Sequence, residues 1–261
     1  MKNNIFQIIK PSTILKKNKN NHIIDSECLF GEIFNVVDIK GNWSFGTSEE
    51  DQYKGWIQSN ALGFQLNSTH VVASTRSFIF AKPDMKSKVI NYLPLRSKIT
   101  VNKIESSWAR LDFFMNKKYD YGYVLKSHIL ENNKVELNWV QYAEELLFTP
   151  YRWGGRDSIG VDCSALLQLS KAFNGEKLPR DTNDQFEYFN KLKKYSILND
   201  IKHETVVRGD IVYWKGHIAI IVDNENLIHA SGHHGKVVVE KIKEAIKRVN
   251  KKFFLIKENK N

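Results

Sequence analysis

The spacing of apolar residues changes part-way along the chain. From residue 1 to about 132, short runs rich in Val, Ile and Phe alternate with Asn, Gly, Ser and Lys. That pattern predicts brief strands joined by turns. Two stretches resemble each other: LFGEIFNVVDIKGNWSFGTSEEDQYKGWIQSNAL at 29–62 and LPLRSKITVNKIESSWARLDFFMNKKYDYGYVLKSHIL at 93–130. Each runs from a turn through a β-rich strand, a Trp-containing strand and a polar turn to a Tyr/Gly/aromatic segment and a closing leucine. An internal repeat of this size predicts two small antiparallel barrels, at 1–70 and 71–132.

From about residue 133 the period lengthens. VELNWVQYAEELLFTPY places Val135, Trp139, Tyr142, Ala143, Leu146 and Leu147 at helical spacing, with Pro150 as a stop. YRWGGRDSIGVD is a glycine-punctuated loop. CSALLQLSKAF predicts a helix that buries Leu166, Leu167, Leu169 and Phe173 and ends near Asn174-Gly175. After a linker, GDIVYW, GHIAIIVD, NLIHAS, KVVVEKI and FFLIKE predict a meander of strands. Helices followed by consecutive strands predict an α+β third domain at 133–261.

Composition narrows the class. Hydrophobic residues make up 42% and charged residues 26% of the 261, which predicts a folded, soluble chain. No apolar run reaches the length of about 18 residues that a spanning helix needs, so no membrane span is expected. The first 21 residues hold no apolar core of a secretory signal. Cys28 and Cys163 are the only cysteines, too few for a disulfide scaffold, and a cytoplasmic location is expected. The net charge is +10, but the lysines are scattered among asparagines with no dense basic block. A solvated basic surface is the expectation, with no nucleic-acid partner.

Cys163 opens the helix that follows the glycine loop. The first turn of a helix presents free N–H groups and the positive end of the macrodipole. These favour a thiolate and can also receive a developing oxyanion. A buried structural cysteine is the plain alternative. A nucleophile needs a base, and GHIAIIVDNENLIHAS reads as a hairpin turning at Asp223. His217 and His229 each lie six residues from Asp223. They would face each other with Cβ atoms about 5 Å apart. One imidazole would take the thiol proton and the other would orient it. An ordinary half-buried histidine pair and a Cys-His-His metal site are the alternatives. No further metal-spaced pair lies near Cys163.

PYRWGGRDSIGVDCSALLQ, LPRDTNDQ, RGDIVYW, GHIAIIVD and LIHAS together resemble the NlpC-type papain-like cysteine peptidases of bacterial cell-wall metabolism, over residues 135–257. The resemblance implies a papain-like α+β domain with Cys163 as nucleophile, His217 as base, His229 as its orienter and Tyr151 beside the oxyanion. Ala165 stands where the family usually has glycine. Two SH3-like barrels ahead of such a domain resemble the γ-D-glutamyl-L-diamino acid endopeptidases of murein recycling, the dipeptidyl-peptidase VI type. That resemblance implies a murein-derived peptide with a free N-terminal L-Ala as substrate. Asp25, Tyr53 and Asp162 would meet its ammonium, Trp153 would line the cleft, and Ser164 and Thr182 would contact the D-Glu portion. It implies no metal and no cofactor. Two rival readings stay open: an acyltransferase of the same thiol superfamily, and a non-catalytic binder of glycan or polyanion.

Overall fold

The computed structural model describes residues 4–116, 119–199, 201 and 205–259. The chain divides into two compact units, one of 1–134 with 156–158, the other of 135–155 with 159–261.

The first unit is antiparallel β-structure. A five-stranded sheet runs in the order Lys54–Gln58, Trp43–Ser48, Ile33–Lys40, Ile5–Ile8, Leu62–Gly63, beside the pair Ser12–Leu15 and Ser26–Leu29. A seven-stranded sheet follows, in the order Val89–Pro94, Arg76–Phe80, Tyr119–Leu125, Trp108–Asn116, Lys98–Glu105, His70–Val72, Ile129–Glu131. The repeat seen in sequence has a structural counterpart. Trp43 pairs with Gln58 and Trp108 pairs with Leu125, each at the end of its ladder. Both ladders then run into a single 3₁₀ turn, Ser59–Ala61 and Lys126–His128. Ile8, Leu15, Phe34 and Ile57 fill one core, and Val72, Ile79, Leu93, Leu111 and Val124 the other.

Phe30, from the first repeat, inserts into the second core. Gly31 permits that approach: its φ is +82°, and a Cβ there would lie 1.9 Å from the Lys98 carbonyl oxygen. Residues 156–158 belong to this unit although their sequence neighbours do not. Arg156 is buried, with Nη1 and Nη2 donating to the two Glu32 carboxylate oxygens at 3.0 and 2.9 Å and its backbone N–H to Glu27 Oε2 at 2.9 Å. A buried guanidinium needs such partners.

The second unit is α+β. Its sheet is antiparallel throughout, in the order Tyr195–Leu198, Phe253–Glu258, Ile211–Trp214, His217–Ile221, Asn226–Ser231, Lys236–Lys241. The helices are α1 (Val140–Glu144), α2 (Cys163–Lys171), α3 (Thr182–Lys191) and α4 (Ile242–Val249). Helix α2 is buried along its whole length and packs on the strands that carry His217 and His229. The first predicted helix is shorter than its apolar spacing suggested, because the chain leaves α1 through turns and Phe148 takes a φ of +68°. Helix α3 lies in the segment read as linker, and α4 in the stretch between the predicted strands KVVVEKI and FFLIKE, overlapping only the last residue of the first.

Candidate active site

Asp162 is the N-cap of α2. Its Oδ1 accepts from the Ala165 N–H at 2.9 Å, which satisfies one of the free donors of the first turn. That cap sets Cys163 as the first helical residue, with its own N–H lacking an intrahelical acceptor. Arg180, itself buried, clamps the same carboxylate, Nη1 to Oδ1 at 3.0 Å and Nη2 to Oδ2 at 2.7 Å. The Gly154 N–H and the Ser164 hydroxyl also donate to it, at 2.9 and 3.1 Å. Ser164 Oγ in turn accepts from Arg180 at 2.7 Å. Asp162 and Ser164, expected at the substrate, are thus engaged with the helix start and with Arg180.

His217 Nε2 lies 2.7 Å from His229 Nδ1, with ring centroids 4.9 Å apart. The register differs from the one expected. Ile220 pairs with Ile228 and Ile221 with Leu227, so the hairpin is centred on Asn224. The Asp223 side chain builds this turn by accepting from the N–H groups of Glu225 and Asn226, both at 2.8 Å. His217 and His229 are therefore diagonal, not directly opposite. They still share a face because the shift is an even number of residues, and diagonal imidazoles are long enough to meet. Trp214, paired with His217 across the preceding hairpin, stacks on its ring with centroids 4.4 Å apart.

The relay continues one strand further than the sequence reading went. His229 pairs with Val238, which puts Glu240 on its diagonal. His229 Nε2 lies 3.0 Å from Glu240 Oε1, although the N–H is not well aligned with that oxygen. Burial works to raise the Glu240 carboxyl, but His229 and Arg248 outweigh it and hold it below the usual carboxylate range. Arg180 and Glu240 were both missed. LPRDTNDQ and KVVVEKI contain them, but neither spacing nor charge points to Asp162 or His229 before the chain folds.

The thiol departs from the helix-start expectation. Burial, then the Asp162 charge, push Cys163 up to about 12 against the N–H groups of Ile218 and Ser164 and the Arg180 cation. His217 is held well below its usual value of 6.5, by burial first and then by His229, Arg248 and Lys251. Both shifts favour a neutral thiol–imidazole pair in the resting site. Tyr151 is half-buried. Burial, then the Cys163 and Asp162 charges, raise its phenol, so it stays a hydroxyl donor.

A thiol at a helix start and an imidazole pair behind it are the parts of a cysteine nucleophile. Residues 148–255 match the NlpC/P60 family, and residues 14–62 the bacterial dipeptidyl-peptidase Sh3 domain. The chain carries an NlpC/P60 cysteine peptidase domain. Dipeptidyl-peptidase 6 of Lysinibacillus sphaericus is 23% identical over 239 residues, 84% of this chain and 84% of that protein. Gamma-D-glutamyl-L-lysine dipeptidyl-peptidase of Bacillus subtilis is 23% identical, over 80% of this chain and 73% of its own length. An NlpC/P60 family protein from Bacillus cereus shares the fold, with a TM-score of 0.75 at 16% identity over 91% of this chain and 94% of that one.

Within the NlpC/P60 domain, Tyr151, Asp162, Ser164 and the Ile218 N–H, next in the chain to His217, lie about Cys163 at the start of α2, and His229 adjoins His217. Trp153 is 64% exposed, and Thr182 opens α3, half-buried. Asp25 and Tyr53 lie in the first unit, both on Lys17. The Lys17 N–H donates to Asp25 Oδ2 at 2.7 Å, and its ammonium stands 4.9 Å from the Tyr53 ring centroid. Among the described residues no helix is long and apolar enough to cross a membrane.

Proposed function

We propose that the protein hydrolyses the bond between γ-D-Glu and the diamino acid of murein-derived peptides that begin with a free L-Ala, and that it does so in the cytoplasm. The observation that carries the chemistry is the 2.7 Å contact between His217 Nε2 and His229 Nδ1. With Nε2 engaged there, Nδ1 is the nitrogen left to serve the thiol. The relatives named as γ-D-glutamyl-L-lysine dipeptidyl-peptidases, 22% and 23% identical, support the substrate class.

In this reading Cys163 Sγ attacks the γ-carbonyl carbon while its proton passes to His217 Nδ1. The thiol is neutral at rest, so proton removal accompanies attack. The Cys163 N–H and the Tyr151 hydroxyl receive the oxyanion. His217 then gives the proton to the leaving amine, and the C–N bond breaks to leave a thioester. Water, deprotonated by the same imidazole, releases L-Ala-D-Glu and restores the thiol. His229 and Glu240 stabilise the imidazolium that forms in each half. In the first unit, Tyr53 and Asp25 meet the substrate's ammonium. Asp162 can do so only in addition to its clamp with Arg180. Trp153 lines the cleft, and Ser164 and Thr182 meet D-Glu.

Incubation with L-Ala-γ-D-Glu-L-Lys and with its diaminopimelate counterpart, followed by mass spectrometry, tests the proposal. Release of L-Ala-D-Glu is expected. No cleavage, or cleavage at another bond, overturns it.

A further inference from the structure

The relay ends beside a group that the peptidase chemistry does not use. One ligand atom each of His229, His234 and Glu240 lie within 4.8 Å of one another, and His229 Nε2, the ring nitrogen not engaged by His217, is 3.0 Å from Glu240 Oε1. His234 sits in the turn between the strands of His229 and Glu240, anchored by Ser231 Oγ 3.0 Å from its Nδ1. His229 is 1% exposed, and its Nε2 makes no well-aligned hydrogen bond. Two imidazoles and a carboxylate are a donor set that zinc takes, with a fourth position left to water. Bonds of about 2.0–2.2 Å need donor atoms roughly 3.4 Å apart. His229 and Glu240 are already that close, and His234, in an exposed turn, has to close a modest gap. Arg248 opposes the cation by holding Glu240 Oε1, while Oε2 makes no hydrogen bond among the described residues.

We propose that His229, His234 and Glu240 form a zinc site which, when filled, switches off His217 as the base. The argument is one of proton placement. A neutral imidazole carries one proton. For His217 Nδ1 to accept from the thiol, its proton must sit on Nε2 and be donated to His229 Nδ1. The His229 proton is then on Nε2. Zinc on His229 Nε2 moves that proton to Nδ1, where it becomes the donor. His217 Nε2 must then accept, and the His217 proton moves to Nδ1, the nitrogen that serves Cys163. No proton is gained or lost, and the base has lost its lone pair.

The inhibition rests on the peptidase reading, but the binding does not. The full chain carrying Cys163→Ala, freed of metal, is titrated with zinc against a chromophoric chelator. It should hold one zinc, and His234→Asn on that background should weaken binding tenfold or more. With Cys163 intact, zinc should inhibit peptide hydrolysis. His234→Asn should raise the inhibitory concentration by the same factor and leave the metal-free kcat/KM unchanged. Loss of zinc binding in Cys163→Ala would make the thiol a ligand and overturn the site. So would an unchanged affinity in His234→Asn. Zinc bound at this site without inhibition would overturn the switch. Failure to cleave the peptides, with zinc still bound, would count against the substrate assignment alone.

Discussion

Replacing Glu240 tests whether the imidazole relay depends on its terminal charge. Glu240 does not enter the thiol chemistry itself; it acts on His217 through His229, as a positioning residue. A hydrogen bond to a charged group contributes about 1.5–3 kcal/mol and a neutral one about 0.5–1.5. Glu240→Gln therefore removes roughly 1 kcal/mol of imidazolium stabilisation, at the low end because Arg248 shares the same oxygen. That corresponds to about fivefold in kcat. Glu240→Ala leaves the buried His229 nitrogen without its acceptor, at a cost of about 1–3 kcal/mol, or about fivefold to a hundredfold. KM should stay within about twofold, since uniform binding is untouched. The pH profile gives the second readout. The carboxylate favours protonated imidazole, so removing it makes the pair release its proton at lower pH. The acid limb of kcat/KM, already well below 6.5 because His217 is buried, should move further down. Steady-state kinetics on L-Ala-γ-D-Glu-L-Lys from pH 4 to 9 (roughly the range bracketing the histidine values) measures both. Unchanged kcat in folded Glu240→Ala, a loss confined to KM, or an acid limb that moves up would refute the relay.

Cys163→Ala should abolish hydrolysis while circular dichroism and the melting transition stay those of the wild type; residual turnover near wild-type level would end the thiol reading. Iodoacetamide alkylation of Cys163 should rise with pH without a plateau through about pH 9, because the thiol is pushed up to about 12; a plateau at neutral pH would show a preformed thiolate. N-acetylation of L-Ala should cost roughly ten- to a hundredfold in kcat/KM, the worth of a charge-assisted hydrogen bond, and Tyr53→Phe or Asp25→Asn should shrink that preference; equal rates on both peptides would remove the first unit from amine recognition. Glu176→Gln should destabilise the fold by about 1–3 kcal/mol in urea unfolding, because Lys171, 1% exposed, loses its nearest carboxylate at 3.1 Å and keeps Glu258 at 3.4 Å and the Tyr195 hydroxyl at 3.0 Å. Burial opposes the Glu176 charge, but Tyr195, Lys171 and Lys194 hold its pKa below the ordinary 4.5, so its contribution is present above that pH and lost as pH falls through the lowered value.

Local rules made much of this protein readable. A short apolar repeat at helical spacing after a glycine-punctuated loop is a property of a few neighbours, and it located Cys163 at the head of α2. Strand parity is equally local. It put His217 and His229 on one face, and that conclusion survived a register shift because an even slip preserves the face. The register itself depended on how the Asp223 side chain folded the turn, and the expected pairing moved accordingly. Helix α3 escaped notice because its stripe is narrow, burying only Gln185 and Phe189, and a stripe that narrow takes its helical stability from the surface it covers. Helix α4 does carry its signal locally, with Ile242, Ala245, Ile246 and Val249 at helical spacing and packed on one core. The thiol shows the sharpest division. Its place at a helix start argued for a lowered pKa, and that field is local. Burial under the sheet and the neighbouring Asp162 charge act in the opposite direction and prevail. Desolvation depends on everything packed around a group, so no stretch of sequence reports it. The same holds for Arg180 on Asp162, Glu240 behind His229, and Arg156 on Glu32, 124 residues away in the chain. Each is a charge whose partner exists only once distant segments are brought together.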